Sequence, residues 1–518
     1  MAPSRGTVAA GHPRTAEIGA RVLREGGSAA DAAVACALAS WVCEPLLTGP
    51  AAGGHLLAVP TDGPAVAIDA FCQVPGLHPA GVDEERRAAR DPLADLVAVD
   101  VDFGDAHQVF HAGAASVAAF GLMDGLERLH ARWGRLPLAD LAAPAAALAR
   151  QGVVLNRQQA FVAALLRPIL ELTPESRALW WPDGALLTEG EPFRDPELGD
   201  TIERLGRDGA APLRDGDLAA ACVDWCGRHG GVLTRADLAG YRAVERDPVR
   251  VPYRDRTVLT VPPPSAGGVL LALALGRLDR ATGPDGAPGP AALIAAMADA
   301  EAERTDAFEE GLVRPGFADE LLALRLGSTT HLSVIDADGL ACAITTTNGE
   351  GSGVVVPGTG IHLNNVMGEE DLNPRLRAGG GADAPAAFAP GRRMPSMMAP
   401  TAVLPPAARG GGVEAILGSA GSSRIRSALL QTVVGLVDHG LGPAEAVDAP
   451  RVHLEDGVVY AEPGLRDAEG DWTSGRTLVE FREPNLFFGG VQLVRRDPGT
   501  GTLAAAADPR RGGATATA

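Results

Sequence analysis

The chain has 518 residues, 46% of them hydrophobic, which is ample for a large core. A formal net charge of −20 and a pI near 5.0 set the surface against nucleic acid and anionic membranes, because both would be repelled over most of it. All 45 basic residues are arginines, so a lysine Schiff base, a pyridoxal-phosphate lysine and the lysine of a phosphate loop are excluded.

The amino terminus, MAPSRGTVAAGHPRTAE, has no apolar core of signal-peptide length, and no apolar run approaches a membrane span. A cytoplasmic location is therefore expected. Residues 14 to 25 have helical spacing and stop at Gly26-Gly27, after which Ser28 opens a second helix with Asp31 in its first turn, running to about Cys43. HLLAVP and VAIDAF read as paired strands around Asp62-Gly63-Pro64. From Ala114 to Gly152 leucines recur among alanines and arginines, which predicts an outer helical layer; residues 156 to 236 read as further helices and loops, with Trp180-Trp181 burying area or lining a pocket. Cys36, Cys43, Cys72, Cys222, Cys226 and Cys342 are too sparse for a disulfide scaffold. Cys222 and Cys226 sit one helical turn apart, but no second pair completes a zinc site, so all six are taken as small buried side chains.

Residues 249 to 262 alternate as strands, PPPSAGG reads as a rigid turn with a flexible Gly pair, and helices follow from about Val269 to Arg277 and from about 291 to 309. The stretch GSTTHLSVIDADGLACAITTTN, Gly327 to Asn348, then reads as a hairpin: THLSVI alternates, DADG is turn chemistry, and LACAITTT resumes in β-rich residues. A turn centred near Ala337 and Asp338 sets Thr329 opposite Thr345, Thr346 and Thr347. Threonines favour strands, and cross-strand threonine pairs stabilise them, which is one account of this crowding. The other is chemical. A threonine hydroxyl becomes a useful nucleophile when a base takes its proton, and its own α-amine, with a pKa of roughly 8, can do so once the Ser328–Thr329 bond is cut.

Past the hairpin, GEGSGVVVPGTG has glycines but lacks the Gly-Lys-Ser of a phosphate loop and reads as turns. Asn364, Asn365, Glu369, Glu370 and Asp371 follow; such acids serve as a solvated loop or as paired catalytic carboxylates. Residues 372 to 393 read as a flexible lid. AILGSAGSSRIRSALLQTVVGLVDHG, 415 to 440, is a strand, a Gly/Ser turn and an apolar-faced helix, whose unpaired N–H groups suit an anion. Segments after Val452 read as closing strands, and DPRRGGATATA as a disordered tail.

These segments in this order resemble the γ-glutamyltransferase family of N-terminal nucleophile hydrolases. The resemblance rests on Thr329-Thr330-His331 together with GGSAADAAVACALA (26 to 39), GLERLHARWGRLPLADLAAPAAALARQGVVLN (125 to 156), DLAGYRAVERDPVRVPYRDRTVLTVPPPSAGG (237 to 268), GIHLNNVMGEEDLNP (360 to 374), PSMMAPT (395 to 401) and GSAGSSRI (418 to 425). It implies an α+β fold, the four-layer αββα sandwich, built from 1–328 and 329–518 as two interleaved subunits of a self-cleaving precursor. It implies that Thr329 is the nucleophile, that Thr347 orients it, and that the amides of Gly421 and Ser422 hold the oxyanion. Asn348 and Glu369 would receive the acyl donor, Glu369 standing where the family's acid binds an α-amino group. No cofactor and no metal are implied. The partners would be a small γ-glutamyl or other acyl amide and the chain's own cleaved halves.

Two positions depart from the pattern. Phe71 stands where the family's arginine holds the substrate α-carboxylate, and Met397 replaces the second of two serines on that side, while Ser396 keeps the first. Arg375, Arg377, Arg392 and Arg393 are candidates to replace the missing guanidinium. Otherwise the acyl group is not an ordinary glutamyl, as in the cephalosporin and glutaryl acylases of this fold. A non-catalytic scaffold that has lost processing is the alternative from another class.

Overall fold

The computed structural model describes residues 4–77, 95–102, 107–283, 286–302, 329–369, 373, 389–409, 411–465 and 471–518. Two antiparallel sheets form its centre. The first has the strand order Ala514–Thr517, Gly6–Ala10, Thr330–Asp336, Ala341–Thr347, Gly53–Val59, Val66–Ala70, Val244–Arg246. The second runs Leu503–Ala507, Gly490–Arg496, Ala415–Ala420, Thr401–Leu404, Arg256–Thr260, Val249–Tyr253. Both draw strands from before and after residue 329.

Alternation along the strands assigns their faces. Leu332, Val334, Cys342, Ile344, Leu56 and Ile68 pack with the helices Ala29–Cys43 and Leu138–Gln151. Their neighbours Ile335, Ala341, Ala343 and Leu57 meet Leu259, Ala402, Ile416 and Val494 of the second sheet. On that sheet's outer face Val258, Val403, Leu417 and Leu493 pack with the helices Ala266–Thr282, Pro290–Ala302 and Arg424–Val437. The layers are thus helix, sheet, sheet, helix, as expected.

The helix Ala29–Cys43 is buried along its whole length, which its alanines permit by presenting little bulk on any side. It starts where the sequence says it should: Ser28 Oγ accepts from the Asp31 N–H at 3.1 Å, and the Asp31 carboxylate accepts from the Ser28 N–H at 2.8 Å. All six cysteines are buried and free. Among the described residues no helix is long and apolar enough to cross a membrane.

Two expectations are corrected. DPRRGGATATA is not a loose tail: Ala514–Thr517 pairs with Gly6–Ala10 at the edge of the first sheet, and Arg510 is buried in ion pairs with Glu462 (2.6 Å) and Asp508 (3.3 Å). Alternating Ala and Thr carry almost no hydrophobic signal, yet suit an edge strand whose partner lies at the other end of the chain. The Gly267-Gly268 pair is not flexible either. It lies in the first turn of Ala266–Thr282, N-capped by Ser265, and side chains there would meet the Met397 carbonyl at 1.9 Å and the Val261 carbonyl at 2.2 Å. These glycines permit close backbone approach.

Candidate active site

The hairpin forms with Thr330 opposite Thr346 and His331 opposite Thr345. Carried one residue further, that register sets Thr329 across from Thr347. Both are buried. The Thr347 hydroxyl accepts from the Gly349 N–H at 2.8 Å, which fixes its orientation. Residues two apart share a face, and His331 faces the second sheet: its ring fills the space where a side chain on Gly418 would stand, within 2.2 Å. Ser333, next on that face, donates to the Gln492 carbonyl at 3.1 Å. Thr329 therefore faces the second sheet too. His331 is held neutral, its pKa pushed down to about 3 by burial, and it bridges the hydroxyls of Thr345 (2.7 Å) and Ser333 (2.9 Å).

The strand Ala415–Ala420 of that second sheet runs directly into Gly421 and Ser422, both in left-handed backbone with φ of +114° and +65°. The Gly421 carbonyl accepts from the Arg424 N–H and the Ser422 carbonyl from the Ile425 N–H, each at 3.1 Å. A trans peptide points its N–H opposite its C=O, so the Ser422 amide is turned away from the helix it precedes. An amide turned this way can donate to an anion.

Beyond the C-terminal end of the strand Ala341–Thr347, acceptor oxygens gather. Gly349, at φ +62°, lies so close to Asn365 Oδ1 and Glu369 Oε1 that a side chain there would meet them at 2.0 and 2.8 Å. Asn348 donates through Nδ2 to the His362 carbonyl at 2.9 Å. Among the described residues, its Oδ1 and that of Asn365 are buried with no donor, which is costly unless a ligand supplies one. An ammonium group would suit them. Asn365 was not singled out for this role from sequence; its place beside Asn364 gave no spacing to separate the two. Asn364 instead ties backbone, donating to the carbonyls of Ala51 (2.9 Å) and Ala118 (3.0 Å).

Phe71 and Met397 are fully buried in one apolar cluster with Val366, Met367, Met394 and Met398. Ser396 accepts from the Met398 N–H at 3.1 Å. Of the arginines expected to replace the missing guanidinium, Arg375 and Arg377 lie outside the described residues, as do Ser328, Glu370 and Asp371, and Arg392 is exposed. Arg393 is committed elsewhere: it lies 3.5 Å from the Asp69 carboxylate, stacks on Tyr241, and donates to the carbonyls of Phe71 and Arg242. It braces the wall.

Two further groups were not foreseen. Glu44, buried just past the end of its helix, accepts from the Thr330 hydroxyl at 2.8 Å, and burial pushes its pKa up to about 7. Arg511, from the C-terminal segment, lies within 3.2 Å of where a side chain on Gly421 would be, and burial beside Arg424 pulls its pKa down to about 10. Glu44 and Arg511 line one pocket, with Trp180 among its apolar walls. Among the described residues no cluster of His, Cys, Asp or Glu is disposed to hold a metal ion.

The family profile described as Gamma-glutamyltranspeptidase matches residues 15–518. The Acylase ACY 1 proenzyme of Pseudomonas sp. (strain SE83) is 32% identical over 97% of this chain and 92% of its own length. The glutathione hydrolase proenzyme of Escherichia coli (strain K12) is 30% identical over 98% of this chain and 90% of its own. The crystal structure of cephalosporin acylase from Bacillus halodurans superposes with a TM-score of 0.79 at 26% identity, covering 99% of this chain and 96% of that one. With the fold, the hairpin and these relatives in agreement, the chain is a member of the γ-glutamyltranspeptidase family of enzymes.

Proposed function

We propose that the chain is made as a precursor, cut between Ser328 and Thr329, and then acts as an amidohydrolase or acyltransferase through the new terminal threonine. Thr329 Oγ attacks an amide carbonyl while the α-amine takes its proton; the oxyanion meets the amides of Gly421 and Ser422; the C–N bond breaks and the amine leaves with that proton. Water or an acceptor amine then releases the acyl group from the ester. The observation that carries this reading is the Thr330–Thr346 register, which, continued by one residue, supports Thr329 lying across from Thr347 on the face that packs on the second sheet.

The acyl pocket supports a donor that offers hydrogen-bond donors to Asn348, Asn365 and Glu369 but ends without the usual carboxylate clamp, because Phe71 and Met397 make that wall apolar. Similarity to an acylase fits this. A γ-glutamyl donor is the second reading, favoured by the same three acceptors and by similarity to a glutathione hydrolase.

On a denaturing gel the purified protein should give two fragments, whereas Thr329→Ala should keep one band of 53.0 kDa. Amino-terminal sequencing of the smaller fragment should begin at Thr329. A single inert band from the unaltered protein would make it a scaffold instead. Turnover of γ-glutamyl-p-nitroanilide beside glutaryl and aliphatic acyl anilides separates the two acyl readings.

A further inference from the structure

The sheet order places two different surfaces on either side of the nucleophile strand. Asn348 and Phe71 follow the strands Ala341–Thr347 and Val66–Ala70 on one side. Gly11 and Arg511 belong to the ends of Gly6–Ala10 and Ala514–Thr517 on the other, at the same end of the sheet as Thr329. There a pocket opens, lined by Glu44, Arg510 and Arg511 and by apolar residues that include Leu46, Trp180 and Leu486. Arg511 donates from Nε and Nη2 to the Leu486 carbonyl at 3.3 and 3.1 Å, and among the described residues no carboxylate lies within ion-pair distance of it. The nearby Asp508 is already paired with Arg451 at 2.7 Å and with Arg510 at 3.3 Å. Arg424 adds a second positive charge beside the same loop, where it donates to Ser423 Oγ at 3.2 Å. Asp508 and Glu44 are the acids that act on Arg511 from a distance, and burial holds Glu44 at a pKa of about 7. A guanidinium held by a neutral carbonyl, beside another guanidinium and lining a pocket, can still bind a carboxylate in direct contact.

A trigonal carbonyl carbon sends its two substituents to opposite sides. With the carbonyl held between Thr329 and the Gly421–Ser422 loop, and the acyl group toward Asn348 and Glu369, the amine portion is directed to the Arg511 side. We propose that this pocket is the subsite for the leaving amine, and that it takes an amine carrying a carboxylate on an apolar body, with Arg511 as the carboxylate's partner. The inference rests on the acyl-transfer reading above. Recognition has moved across the scissile bond: the guanidinium missing at Phe71 is matched by one on the opposite side.

The test compares two anilides of one acyl group, the 3-carboxy-4-nitroanilide and the 4-nitroanilide. A charge-assisted contact should give the carboxylated compound an advantage of about tenfold in kcat/KM, carried mainly by KM. In Arg511→Met the ratio should fall toward one, and Arg511→Lys should retain part of it. A ratio near one in the unaltered protein, or the same ratio in a folded Arg511→Met, overturns the proposal. So does an Arg511 dependence that appears instead when the acyl end carries the carboxylate, as in glutaryl against butyryl 4-nitroanilide. If neither anilide turns over, the acyl-transfer reading fails on its own, and calorimetry with 5-amino-2-nitrobenzoate and 4-nitroaniline decides the subsite. Binding that favours the acid by about tenfold and depends on Arg511 supports it, and equal binding overturns it.

Discussion

The proposed reacting centre and the proposed acyl-side wall are built differently. Thr329, Thr347 and the Gly421–Ser422 loop are placed by strand register and backbone torsion. The wall of Phe71, Met397 and the neighbouring methionines is built from packed side chains. Backbone geometry tolerates little change because a displaced amide is lost to the oxyanion altogether, whereas an apolar wall accepts substitution at the scale of a methylene or two. Chemistry and specificity are therefore separable, and substitutions on each side should have different signatures.

After removal of Thr329 itself, the largest effect is expected at Gly421. Its φ of +114° is one that side chains avoid, and a Cβ would meet the Gly489 backbone at 2.7 Å. Gly421→Ala should displace an oxyanion donor and lower kcat by about 10²- to 10³-fold, roughly 2.7 to 4 kcal/mol, with KM moving much less. Steady-state kinetics on protein with unchanged circular dichroism checks this. An unaltered kcat would detach the loop from the reaction and collapse the distinction between centre and wall.

Glu44 tests how the centre is supported from the helix side. Its folded pKa of about 7 lies above the ordinary 4.5 of a glutamate, so between those values the folded protein holds a proton that the unfolded chain has released. Stability is then lost as pH rises through that window, and the deficit is complete above it. Glu44→Gln keeps an acceptor for the Thr330 hydroxyl and removes the titration, so its stability relative to the unaltered protein should rise by about 3 kcal/mol between about pH 4 and pH 8. Denaturant titrations at several pH values give that difference directly. A pH-independent difference would show that Glu44 does not titrate in this range.

Much of the local structure around the proposed site was legible because its signals are local. Turn residues flank alternating strands in the hairpin, Ser28 and Asp31 spell a capping box three residues apart, and Gly421 and Ser422 join a strand to a helix. What the sequence hid depends on long-range meetings. Glu44 touches Thr330 across 286 residues, and Arg511 reaches the Gly421 loop only because a weakly patterned C-terminal strand docks on the first sheet. Arg393 was legible as an arginine near the pocket but not as one already engaged by Asp69 and Tyr241.

The smallest effect is expected on the wall. Met397 is 2% exposed in the cluster with Phe71, so Met397→Ser exchanges a polarizable thioether for a hydroxyl there. It should destabilise the fold by about 2 kcal/mol or more, as a large-to-small core change does, so the informative readout is a ratio measured on one preparation. The preference for an aliphatic acyl anilide over the γ-glutamyl anilide should fall by about tenfold, the scale on which a hydrophobic pocket discriminates a methylene or two. Because both substrates share the same Thr329 and the same oxyanion loop, a change in the centre cancels and only the wall remains. A ratio left intact would place the acyl group's end away from Met397 and return the choice of substrate to Asn348, Asn365 and Glu369.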